Sequence, residues 1–190
     1  MEELNLNAKT TALVLIDLQH AIVGRALAPH SATDVVNRCR ALAEIFREKG
    51  ATVVYVRVDL SNMQTPIADQ PSRDPNAPPP PTAASQLVPE AGYQTGDILI
   101  TKRYWGAFGG TDLQEHLRQR GIRTIVLGGI ATNFGVESTA RSAAELGFSL
   151  VLIEDAMTSM SAEVHRFAVE KIFPRLGRVR KADQIHLTME

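Results

Sequence analysis

Five short apolar runs, at residues 11–16, 52–58, 97–101, 124–127 and 149–153, constrain this chain more than any other feature. They are rich in β-branched residues and mostly continuous, as in Leu13-Val14-Leu15-Ile16, rather than alternating with polar residues. A strand with one wet face alternates. A continuous run is buried on both faces, as in a parallel sheet covered by helices. Helical periodicities fill the gaps between the runs. Residues 33–49 place Val35, Val36, Cys39, Leu42, Ala43 and Phe46 on one stripe and stop at Gly50. Residues 111–120 open with Thr111 three positions before Gln114, a capping-box pattern, and end at Gly121. Residues 135–146 end at Gly147, and residues 161–173 are closed by Pro174. A short strand near 178–180 and a terminal turn of helix complete the series.

This alternation predicts an α/β fold: a three-layer α/β/α doubly wound sandwich with a mainly parallel sheet. A length of 190 residues fits one domain spanning 1–190, and no internal repeat is visible. Residues 61–95 break the alternation. They hold eight of the ten prolines, including Pro78 to Pro81, and show no periodicity. Such a segment reads as a lid or subunit-contact arm in preference to a merely exposed connection.

Charge and composition exclude several roles. A net charge of −1 with dispersed basic residues argues against nucleic-acid or membrane capture. No apolar run approaches the roughly 18 residues of a membrane span. The acidic start, Met1-Glu2-Glu3-Leu4, lacks the apolar stretch of a signal peptide, so a cytoplasmic location is expected. The lone cysteine, Cys39, permits no internal disulfide and falls on the buried helix stripe. The five histidines, His20, His30, His116, His165 and His186, show no metal-ligand spacing. Neither a metal nor a cofactor is expected.

In doubly wound sheets ligands bind beyond the carboxyl ends of the strands. That directs attention to Asp17, Asp59, Lys102, residues 128–133 and Asp155. Asp17 closes a wholly apolar strand, where a carboxylate must be paired or must raise its pKa. It reads either as a loop anchor or as a functional acid. Lys102 closes another apolar strand, and alone it would pass for a solvated strand end. Trp105 and Phe108 follow it and fit either an aromatic pocket or core packing. The turn from Gly128 to Thr139 carries glycines that permit unusual backbone angles, and its helix start offers amide N–H groups to an anion. Asp155 reads as a structural cap in preference to a catalytic residue, and Ser138, one turn into the helix, is not favoured as a replacement nucleophile.

Taken in order, these motifs resemble the isochorismatase-like hydrolases, over nearly the whole chain. They are Asp17 and Gln19 after the first run, then Lys102-Arg103-Tyr104-Trp105-Gly106-Ala107-Phe108 followed by Gly110-Thr111-Asp112-Leu113. Gly121-Ile122, the Gly129-Ile130-Ala131-Thr132 turn with Val136 and Thr139, and Glu154-Asp155-Ala156 follow. The stretch from Gly135 to Arg141 is similar to a bacterial branch of that superfamily. The resemblance implies a site in which an Asp (Asp17) and a Lys (Lys102) accompany a cysteine at the start of the helix after the fourth strand. Here that position is Gly135. The family's isochorismatases also lack the thiol, and their acid protonates a vinyl ether carbon while water completes the hydrolysis.

Three departures accompany the likeness: Ile16 where isochorismatases carry His, no Trp-Gly-Pro-Gly stretch, and Asp59-Leu60-Ser61 where nicotinamidases have Asp-x-His for a metal. The resemblance therefore implies hydrolysis of a small molecule, at a vinyl ether or C–N bond, with Asp17 as acid/base and Lys102 as its electrostatic partner. Ala131 and Gly135 would supply anion-binding amides across a cis Ile130–Ala131 peptide. Trp105, Phe108 and Arg103 would contact substrate, with Arg25 and Arg57 as further cations. Relatives of this kind are commonly homodimers or homotetramers. A different class of reading is a non-catalytic ligand-binding or scaffold protein that kept the pocket without the thiol.

Overall fold

The computed structural model describes residues 3–64, 66–72, 74 and 76–189. The chain forms β1 (Leu4–Asn7), β2 (Thr11–Ile16), α1 (His20–Val23), α2 (Ala32–Glu48), β3 (Thr52–Val58), β4 (Ile98–Lys102) and α3 (Leu113–Gln119). It continues with β5 (Thr124–Ile130), α4 (Glu137–Glu145), β6 (Ser149–Thr158), α5 (Ala162–Phe167), α6 (Phe173–Leu176), β7 (Arg178–Arg180) and β8 (Ile185–Thr188). Six strands make one sheet in the order β4-β3-β2-β5-β6-β7, every pairing parallel. The order reverses at β2, so the carboxyl ends of β2, β4 and β5 open onto a crevice.

The continuous apolar runs are explained by two cores. Leu13 and Leu15 of β2 face α2 through Val35, Cys39, Leu42 and Phe46, together with Val53 and Tyr55. Val14 and Ile16 face the opposite layer, with Leu113, Leu117, Ala140, Ala143 and Phe173. Each strand needs apolar residues at every position because both faces are covered. Helix α2 starts where the Ser31 hydroxyl accepts from the Asp34 N–H at 3.1 Å, and Gly50 beyond its end takes φ +67°.

Several boundaries differ from the sequence reading. β5 runs through Gly128 and Gly129 to Ile130, because ladder pairing with β2 continues across the glycines. A Cβ on Gly129 (φ +116°) would stand 2.2 Å from the Ile16 carbonyl oxygen, so only glycine lets the two strand ends approach this closely. β6 continues to Thr158 across a wide bulge: Leu127 pairs with Leu152, but Gly129 pairs with Met157. Thr111 forms no capping box. Its hydroxyl donates to Ala107 O at 2.6 Å, and Asp112 is the residue that precedes α3. Pro174 does not end the last helix. A π-type turn at Ala168–Ile172 respaces the backbone, and the proline enters the first turn of α6, where its missing N–H costs nothing. β1 and β8 form a small parallel sheet that the sequence pattern did not signal.

The proline-rich segment is held at its far end: His20 N–H donates to Gln86 O and Val88 N–H to Leu18 O. Thr65, Arg73 and Pro75 of that segment lie outside the described residues, as do Met1 and Glu2 of the acidic start. Among the described residues, no helix is long and apolar enough to cross a membrane.

Candidate active site

Asp17 directly follows β2, and it takes φ +53°, a left-handed turn open to Asp at modest cost. Its N–H donates to Val56 O at 2.8 Å, so β3 fixes the turn and aims the carboxylate off the sheet end. The side chain is buried. Its Oδ2 accepts from Lys102 Nζ at 2.8 Å, and among the described residues Oδ1 has no hydrogen-bond partner. Lys102 is 2% exposed and also donates to the Trp105 carbonyl at 2.8 Å. Burial pushes the Asp17 carboxyl above its ordinary range, and the Lys102 charge and hydrogen bond oppose that rise without cancelling it. Asp17 therefore favours its neutral form more than an exposed aspartate does.

Gly135 completes the cluster. It lies in the π-type turn Thr132–Val136 that leads into α4, so helical backbone begins ahead of the expected residue 135. A Cβ at Gly135 would meet Ile16 Cγ2 at 3.0 Å, Asp17 Oδ2 at 3.2 Å and Lys102 Nζ at 3.4 Å. Any larger residue there touches the ion pair. The preceding Ile130–Ala131 peptide is cis, as expected.

These residues border a cavity of about 750 Å³. Asp17, Lys102, Ala131, Gly135 and Trp105 all line it. The proline-rich segment forms its outer wall through Met63, Pro66, Ile67, Pro71, Pro78 and Pro80. Trp105 meets Phe134 edge-on at 4.9 Å on the rim. Among the cations considered, Arg25 lines the cavity. Arg103 is exposed and outside the lining, and Arg57 instead donates to Thr101 Oγ1 at 3.0 Å. Phe108 is also outside the lining: it stacks on Phe148 at 6.0 Å, packed against the core. Its position six residues beyond Lys102 carries it over to the α3 layer.

Other residues are structural. Asp59 anchors its own turn through Ser61 and Asn62, and the Asn62 hydrogen bond above all holds its carboxyl below the ordinary range. Asp155 pairs with Arg38 at 2.8 Å and accepts from Ala182 N–H. Gln19, noted in the sequence only as part of a motif, is wholly buried and clamps three segments. It donates to Val58 O and Ala84 O and accepts from Val58 N–H. Thr139 does similar work, donating to Gly135 O at 2.6 Å and accepting from Ala107 N–H. The spacing of histidines gave no sign that His30, Glu154 and His165 meet, yet the fold gathers them beside Thr132.

Cys39 stands apart from the cavity. It is fully buried on α2, its thiol donates to Ala156 O at 3.4 Å, and burial pushes its pKa up to about 12. Cys39→Ala is expected to leave catalysis within about twofold, and iodoacetamide to leave the native protein unmodified, because the thiolate is the reactive form. A folded Cys39→Ala protein without activity would overturn this.

Residues 11–184 match the isochorismatase domain family. The chain is 50% identical to the isochorismatase family protein YecD of Escherichia coli O157:H7, over 96% of this chain and 97% of that protein. It is 31% identical to the ureidoacrylate amidohydrolase RutB of Stutzerimonas stutzeri, over 82% of this chain and 72% of that protein. The solved structure of an isochorismatase family protein from Burkholderia thailandensis superposes with a TM-score of 0.89 at 42% identity, covering 97% of each chain.

Proposed function

As the chain belongs to the isochorismatase family of hydrolases, we propose that it hydrolyses a small molecule without a cysteine nucleophile, with Asp17 as the proton carrier. The observation that carries this is the buried Asp17–Lys102 pair facing the cavity, with Gly135 in contact distance and the one thiol elsewhere. Burial favours the protonated acid, which suits donation of a proton to the substrate. Asp17 gives its proton to the leaving atom, or to the carbon of a vinyl ether. Water adds its oxygen to the electron-poor carbon and returns one proton to Asp17; an amide C–N bond then breaks to acid and amine, whereas a vinyl ether gives a hemiketal that collapses to a carbonyl as its remaining hydroxyl proton passes to the departing oxygen. Lys102 steadies the carboxylate formed in between. In this reading the amides of Ala131 and Gly135 receive the developing negative charge.

The wall is mainly apolar, with Arg25 as its one lining arginine among the described residues, so the substrate is compact, largely apolar and polar at one end. The likeness to an amidohydrolase favours C–N bond cleavage, while glycine in place of a thiol favours the direct attack of water. Screening wild type beside Asp17→Asn on small amides, ureides and vinyl ethers tests the reading. Turnover that vanishes in the variant supports it; no turnover by the wild type on any class favours a binding protein.

Gly135→Cys probes the same geometry. The new Cβ requires shifts of a few tenths of an ångström, chiefly from Ile16. Beside Lys102 and in the first helical turn, its thiol is expected to titrate below the free value of about 8.5 and to react selectively with iodoacetamide. A thiol titrating like free cysteine would show that the cluster is not assembled as described.

A further inference from the structure

The bulge in β6 turns Glu154 and Asp155 to different tasks. Asp155 binds Arg38, whereas Glu154 projects towards two histidines from distant segments. Glu154 Oε1 lies 3.4 Å from His30 Nε2 and 4.0 Å from His165 Nε2, and all three ligand atoms lie within 4.8 Å of one another. The residues are held from behind. His30 is fixed by its carbonyl, which accepts from Thr158 Oγ1 at 2.8 Å, and by the Ala28–Ser159 backbone pair. His165 is 3% exposed, and its Nδ1 is hydrogen-bonded to Thr132 Oγ1 at 2.8 Å. Among the described residues its Nε2 has no hydrogen-bond partner, although it is buried and aimed at the carboxylate.

We propose that His30, Glu154 and His165 form a binding site for a divalent transition ion of the zinc type. Thr132 Oγ1 can accept from Nδ1–H of His165, and in that tautomer Nε2 presents a lone pair towards the carboxylate oxygen, an arrangement that a cation between them makes favourable. Fixing a ring through its other nitrogen is how metal-ligating histidines are usually oriented. Zinc bonds of about 2.0–2.2 Å in tetrahedral geometry require ligand atoms about 3.3–3.6 Å apart. The His30–Glu154 separation already meets this, and the other separations need modest contraction. Two imidazoles and one carboxylate suit zinc or cobalt(II) better than calcium or magnesium. His30 and Glu154 are each more than a quarter exposed at the side chain, which leaves an entry path and room for a water as fourth ligand. The site is separate from the cavity lining, but Thr132 ties it to the turn that carries Ala131 and Gly135. The ion would clamp the segment before α2, the β6 bulge and α5 to that turn.

The test uses the full chain after chelator treatment. Calorimetric titration with Zn²⁺ is expected to show one equivalent bound per chain. Co²⁺ should give the visible absorption of a four-coordinate site, and Zn²⁺ should raise the melting temperature. The partly exposed His30→Gln and Glu154→Gln are expected to weaken Zn²⁺ at least tenfold and to abolish the cobalt spectrum. His116→Gln, at a solvent-facing histidine, should change neither. Absence of saturable uptake overturns the proposal, as does uptake that persists unchanged in both variants while they remain folded.

Discussion

Asp17→Asn is expected to fold as the wild type does and to lose about 10²–10⁴-fold in kcat/KM, the usual worth of a positioned acid/base group. Asparagine preserves the shape and can still accept a hydrogen bond from Lys102 Nζ, now at 2.8 Å from Oδ2. It has no proton to give, and among the described residues no other carboxylate lining the cavity sits beside Lys102: Asp74 lies on the outer wall in the proline-rich segment. Kinetics on the best substrate from the screen, with circular dichroism to confirm folding, measure the effect. Full activity in this variant would remove Asp17 from the chemistry.

Lys102→Met is expected to produce the largest loss of stability, about 3–5 kcal/mol near neutral pH. Removing one member of a buried pair strands the other charge. Lys102 is 2% exposed and Asp17 6% exposed, so solvent cannot take over the missing contact. The sign of the pH dependence follows from the direction of the Asp17 shift. Its folded pKa is already raised, and without Lys102 the main force opposing that rise is gone. Protonation then stabilises the folded state: the stability is present in acid and is lost as pH rises through the folded pKa. The deficit against wild type should therefore be largest near neutrality and shrink on acidification. Urea melts near neutral pH and in acid check this, and a pH-independent deficit would contradict it. The double variant Asp17→Asn/Lys102→Met should recover part of the loss, since no unpaired carboxylate remains.

The sheet was legible because burial on two faces leaves continuous apolar runs, a signal that survives without knowledge of neighbours. β1 and β8 were not, because four-residue strands on a small flanking sheet carry no such run. Gly128 and Gly129 looked like the end of a strand, yet pairing on both sides carries it onward, a tertiary effect absent from local propensity. At the site, Asp17 and Lys102 announced themselves as charges closing apolar strands, and the turn at 131–135 by its order among motifs. Phe108 and Arg103 were close in sequence to Lys102 but diverge in space, since the chain turns away towards α3. The His30, Glu154 and His165 cluster was invisible because its members lie far apart along the chain, and only the β6 bulge aims Glu154 at the other two.

The pH dependence of kcat/KM, recorded for the wild type before and after iodoacetamide and for Asp17→Asn, tests the central claim most directly. The two wild-type curves should superimpose and fall as pH rises through a single inflection above the ordinary carboxyl range, because the acid form of Asp17 is the active one. Asp17→Asn should give a low rate without that inflection. Inactivation of the wild type by iodoacetamide, or the same inflection and rate in Asp17→Asn, would contradict an aspartate-driven, thiol-free hydrolysis.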